Sequence, residues 1–128
     1  LVIRINGAPI PAAVSHGTRT DWLAVSMPPD AALLAARAPA RVLWMTRKRK
    51  RLPFALTRRP GFYLHRRAEA QALADHLGAP PTTGLMLIDL LARSSAASIS
   101  FRHCRCRAAG PPRRCRMILP PSAVLSRR

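Results

Sequence analysis

Nine cations fall between residues 47 and 67, and the first acid to follow them is Glu69. They are the run Arg47, Lys48, Arg49, Lys50 and Arg51, the pair Arg58 and Arg59, and the pair Arg66 and Arg67. A planar guanidinium grips a phosphate through two parallel hydrogen bonds, and each phosphate neutralised in this way releases counterions. The chemistry suggested by this cluster is therefore phosphate binding. Arg66 and Arg67 also fall where a helix is expected to begin, and cations there oppose the helix dipole unless an anion sits beside them.

A second basic group lies near the end: Arg102, Arg105, Arg107, Arg113, Arg114 and Arg116, followed by Arg127 and Arg128. Two such groups suggest contact with more than one segment of a polyanion. His103, Cys104, Cys106 and Cys115 are threaded through the second group as potential soft-metal ligands. Zinc sites usually draw on Cys-x2-4-Cys pairs. Here one pair is Cys-x-Cys, the other half supplies a single Cys, and His103 directly precedes Cys104, so free thiols are expected and no cofactor is assigned. An odd number of cysteines also argues against a closed disulfide framework and fits a reducing compartment.

Catalytic chemistry finds little to work with. There are five acids, and none forms a closely spaced pair suited to proton transfer. His76 adjoins Asp75, but consecutive helix positions point apart. His16, His65 and His76 read as surface or cap residues, Ser15-His16 carries no nucleophile elbow, and no glycine-rich phosphate loop occurs. The expectation is a binding protein and not an enzyme, with no small-molecule substrate.

Charge sets the frame for these residues. In 128 residues, 22 basic and 5 acidic side chains leave a net charge of +17. Self-repulsion of that size opposes compaction unless negative charge is nearby. The arginine preference carries less weight than the charge, because a GC-rich coding sequence skews composition the same way. An apolar fraction of 48% exceeds that of a disordered basic tail, so a core is expected. No run is long and apolar enough to span a bilayer, since the best candidate, Leu85 to Ala92, is interrupted by Asp89. Leu1-Val2-Ile3-Arg4 does not open a secretory signal, whereas the acid-poor, arginine-rich composition permits import into an organelle.

The elements that must position the cations read as a small α+β domain. Residues 1–40 are expected to be an extended, proline-stiffened arm with one short helix, Asp30 capping Ala31 to Ala38. Residues 41–102 are expected to hold the core. There Arg41 to Thr46 and Leu52 to Leu56 would pair as a β-hairpin with the basic run at its tip, and helices at 65–77 and 84–92 would form a second hairpin. Trp44, Phe54, Phe62 and Tyr63 are read as core residues of this unit. Ser98 to Arg102 reads as a strand, and residues 103–128 as a basic, cysteine-containing extension that is irregular as far as Arg116. On this layout all nine cations converge on one side.

The function expected is a structural, RNA-binding component of a large ribonucleoprotein, a mitochondrial ribosomal protein above all, touching rRNA phosphates and neighbouring proteins. Residence in the mitochondrial matrix follows from that reading, with cytoplasm or nucleus as alternatives. One rival is a small accessory subunit of an organellar membrane complex on anionic lipid, with Leu85 to Leu91 in the interface. The other is a DNA-binding module, against which stands the lack of helix-turn-helix or finger spacing.

Overall fold

A computed structural model describes residues 1–10, 12–95, 98–102 and 114–118, with the side chains of 99, 101, 102 and 114–118 excepted. Helices and a four-stranded sheet are both present, as expected of a small mixed domain. In chain order they are β1 (Ile3–Ile5), α1 (Ala13–His16), β2 (Trp22–Val25), α2 (Ala31–Arg37), β3 (Arg41–Trp44), a 3-10 turn (Arg49–Arg51), α3 (Phe54–Thr57), β4 (Phe62–Leu64), α4 (Arg67–Leu77), α5 (Thr83–Ala92), β5 (Ser98–Arg102) and β6 (Arg114–Ile118). The chain divides into two compact units, Leu1–Leu87 and Ile88–Arg128.

In the first unit the strands lie in the order β1-β2-β3-β4, and every pair is parallel. This corrects two expectations. Residues 1–40 are not an extended arm, because β1 and β2 are half of the sheet. Nor do residues 41–56 form a hairpin, because the strand after β3 is β4 and it runs the same way. Parallel neighbours need a crossover of a dozen or more residues, and the basic run lies within one. Leu52 to Leu56 belongs to that crossover, with Pro53 capping a turn of helix. Leu52 and Leu56 share a face in a helix as they would in a strand, so four residues of spacing could not separate the two readings. Both side chains join the core.

The central strands are buried on both sides. Leu23 and Val25 of β2 and Val42 and Trp44 of β3 form one cluster with Leu56, against which Leu33, Leu34, Leu52 and Phe62 pack. The alternate residues Ala24 and Leu43 are buried as well, so the opposite face is covered too. There the start of α5 lies against β1, where a Cβ on Gly84 would sit 3.6 Å from Ile5 Cδ1. Burial on both faces is why Leu23 to Val25 and Val42 to Met45 read as unbroken apolar runs.

The amino ends of the strands are tied by Asp21. Its carboxylate accepts from the Val2 N–H at 2.6 Å and from Arg19 Nε at 2.8 Å, and its carbonyl accepts from the Ala40 N–H at 2.9 Å. The Arg19 hydrogen bond, seconded by that from Val2, holds the carboxyl below the usual aspartate range. Arg4, opposite Leu23 in the register, donates Nη2 to the His16 and Gly17 carbonyls at the end of α1.

The helix boundaries follow local signals. Asp30 Oδ1 accepts from the Leu33 N–H at 2.6 Å and starts α2. Thr82 Oγ1 accepts from the Leu85 N–H at 3.2 Å at the head of α5. Gly78, at φ 67°, ends α4. In the second unit β5 and β6 pair antiparallel, with Phe101 opposite Cys115 and Arg102 opposite Arg114. Arg114 to Arg116, expected to be irregular, therefore lie on a strand.

Two residues on the turns make this topology testable. At Gly61, φ is 73° and an added Cβ would lie 2.3 Å from the Ala40 carbonyl oxygen, so Gly61→Ala is expected to cost at least about 2 kcal/mol. Ala38 ends α2 at φ 40°, where Ala38→Gly should stabilise by about 1 kcal/mol. Urea midpoints read both changes. Equal, small effects of the two would contradict this backbone path.

Candidate phosphate-binding edge

In a parallel sheet every strand ends on the same side, so loops leaving the carboxyl ends share one edge. The ladder continues one residue past β1, β3 and β4. The Asn6, Met45 and His65 N–H groups donate to the Ala24, Val25 and Trp44 carbonyls at 2.8, 2.8 and 3.1 Å. The loop from Met45 and the short link from His65 into α4 thus emerge side by side. The first carries Arg47, Lys48, Arg49, Lys50 and Arg51, and the second carries Arg66 and Arg67.

Side-chain bonds hold these two segments together. Arg47 Nη1 donates to Gln71 Oε1 of α4 at 2.8 Å. Arg49 Nη2 donates to the carbonyl of His65, and Arg49 Nη1 is buried with no hydrogen-bond partner among the described residues. Desolvation, with the nearby Arg67 charge second, lowers the Arg49 pKa. Arg49 is therefore part of the scaffold, joining the end of β3 to the end of β4. The residues it leaves facing solvent are Arg47, Lys48, Lys50, Arg51, Arg66 and Arg67.

Arg58 and Arg59 do not belong to this group, which corrects the expected convergence of all nine. They precede β4, where the Arg59 carbonyl accepts from the Phe62 N–H at 3.1 Å, and so lie at the amino edge. The length of β4, about 10 Å, separates them from Arg66.

Arg66 caps α4 without a side-chain bond, and Arg67 is its first residue. Both are poorly placed for helix stability alone, as the sequence indicated. His65, expected at the surface, is only 2% exposed, with Nδ1 3.8 Å from Glu69 Oε2. The aromatic residues divide. Trp44 is fully buried and Phe62 packs on the core, Tyr63 meets the His65 ring at 6.4 Å, and Phe54 is 70% exposed.

Each acid is already engaged: Asp21 with Arg19 and Val2, Asp30 with Leu33, Glu69 beside His65, Asp75 with Gln71 and Asp89 with Arg93. Little internal negative charge is left to neutralise the edge. Of the second basic group, Arg105, Arg107 and Arg113 lie outside the described residues, as do His103, Cys104 and Cys106. Arg102, Arg114, Arg116 and Cys115 are placed by backbone register only. Among the described residues no helix is long and apolar enough to cross a membrane. No family model matches the chain, and no curated protein or solved structure does so either.

Sequence reasoning found the cations but missed Arg49 as a scaffold residue, a role that only the His65 carbonyl reveals. Arg49→Gln is expected to lower stability by about 1–3 kcal/mol through loss of that charge-assisted bond. Lys48→Gln and Lys50→Gln should stay within about 0.5 kcal/mol of the parent, as exposed positions do. Thermal and urea unfolding of the three variants compare them, and a neutral Arg49→Gln would contradict the assignment.

Proposed function

We propose that the carboxyl edge of the parallel sheet binds phosphate groups, and that its ligand is the backbone of structured RNA within a larger ribonucleoprotein such as a mitochondrial ribosome. One observation carries the reading: two adjacent loops bring six exposed cations to a single edge. A net charge of +17 supports a long polyanion over a single small anion, because one bound phosphate would neutralise little of it. The role is positioning and charge neutralisation rather than catalysis. Shape and backbone contacts dominate the recognition of folded RNA, which suits an edge rich in arginine with its buried Trp44 unavailable for stacking.

A second reading rests on the sheet itself. Open parallel α/β sheets take small ligands outside the carboxyl ends of their strands. At that edge Asn6, in the left-handed region at φ 51°, accepts through Oδ1 from the Ser26 N–H at 2.9 Å and the Ser26 hydroxyl at 3.2 Å. These bonds pin the loops after β1 and β2 together beside the cations. A mononucleotide would use the same phosphate chemistry at that place.

Salt-titrated binding to a structured RNA separates the two readings. RNA binding along the edge should give a steep log-log salt dependence, and Lys48→Gln with Lys50→Gln should reduce the slope by roughly 0.7–0.9 for each phosphate that is no longer neutralised. A slope near zero, or one unchanged in the double variant, would overturn the RNA assignment. Stoichiometric binding of a free mononucleotide that displaces the RNA would favour the second reading.

A further inference from the structure

The pair excluded from the carboxyl edge, Arg58 and Arg59, closes one end of a different feature. An open groove of about 380 Å³ runs between the start of α2 and α3, lined by Ala31 and Leu34 on one side and Pro53 and Ala55 on the other, with both arginines at its rim. Its walls are mostly apolar and its lining side chains short or rigid, so it offers concave apolar surface at little entropic cost to an occupant. Beside it Phe54 stands 70% exposed, and the Arg58 guanidinium lies over its ring at 4.5 Å. Asp30 is the acid nearest in sequence, and its Oδ1 is committed to the Leu33 N–H.

We propose that this groove docks an acidic segment of another protein, with one or two apolar side chains seated between α2 and α3 and its carboxylates on Arg58 and Arg59. Charge complementarity selects this occupant. A second copy of the chain fits poorly, because it carries 22 cations against 5 acids and each acid is already engaged. A nucleic acid would meet an apolar trough whose adjacent aromatic face is occupied by Arg58. A bilayer surface cannot enter a concavity of this size, whereas one or two large side chains fill it. The pairing of an apolar pocket with a cationic rim is how amphipathic acidic segments are recognised. The site is independent of the carboxyl edge.

A short labelled peptide alternating glutamate with leucine or phenylalanine tests it by fluorescence anisotropy on the full chain. Arg58→Glu with Arg59→Glu should weaken binding by about tenfold or more, through loss of attraction and gain of repulsion. Ala55→Leu, which fills the groove and keeps the charge, should weaken it by about tenfold through exclusion of the apolar anchor. Both variants should bind structured RNA like the parent, which also reports that they fold. A peptide with alanine at the apolar positions should bind weakly. Equal affinity for the alanine peptide, an unchanged affinity in the Ala55→Leu chain, or loss of peptide binding only when Lys48 and Lys50 are replaced would each overturn the proposal. So would displacement of the peptide by anionic vesicles with no effect of Ala55→Leu.

Discussion

Parallel pairing is the constraint from which the rest of this molecule follows. A strand that must be joined to a parallel neighbour needs a return path as long as the sheet, and that path has to be packed somewhere. In this chain the return paths carry α1, α2 and α3, and α2 and α3 lay Leu33, Leu34 and Leu56 on Leu23, Val25, Val42 and Trp44. The strands are only three or four residues long, so the ladder bonds are few and the apolar cluster supplies most of the cohesion. Once both faces are covered, the two edges where loops emerge are the natural places for polar chemistry.

That geometry sorts the cations. Residues leaving β3 and entering α4 are brought together at one edge although fifteen or more positions separate them in sequence, whereas Arg58 and Arg59, nearer to Arg66, are carried to the other. Proximity along the chain is therefore a poor guide to proximity in space here. The clustered charge is tolerated because Arg47 and Arg49 are tied to Gln71 and to the His65 carbonyl, which fixes two side chains that would otherwise add to the repulsion.

Much of the local structure was legible. Asp30 before an apolar helix, Gly78 after one, and Thr82 ahead of Gly84 are signals with a mechanism, and the helices sit where those residues put them. The sheet was harder. Short apolar runs such as Leu52 to Leu56 fit a strand and a helical turn equally, and the hairpin reading turned on that ambiguity. A stronger cue was present: the strands start at residues 3, 22, 41 and 62, steps of 19, 19 and 21, which match crossovers and exceed any tight turn. The unbroken burial of Leu23 to Val25 was a second cue, since half-buried hairpin strands alternate. The scaffold role of Arg49 and the burial of His65 had no local signal, because both depend on a carbonyl brought in from the neighbouring strand.

If the six cations of the carboxyl edge act as one phosphate-binding surface, apart from Arg58 and Arg59, a bound RNA must leave its mark on that edge alone. Backbone amide shifts, followed while structured RNA is titrated into the full chain, show where the mark falls. The perturbed amides should centre on residues 45–51 and 65–71 and leave 58–61 unmoved. Perturbation centred on Arg58 and Arg59, or spread evenly over the surface, would refute the single phosphate-binding edge.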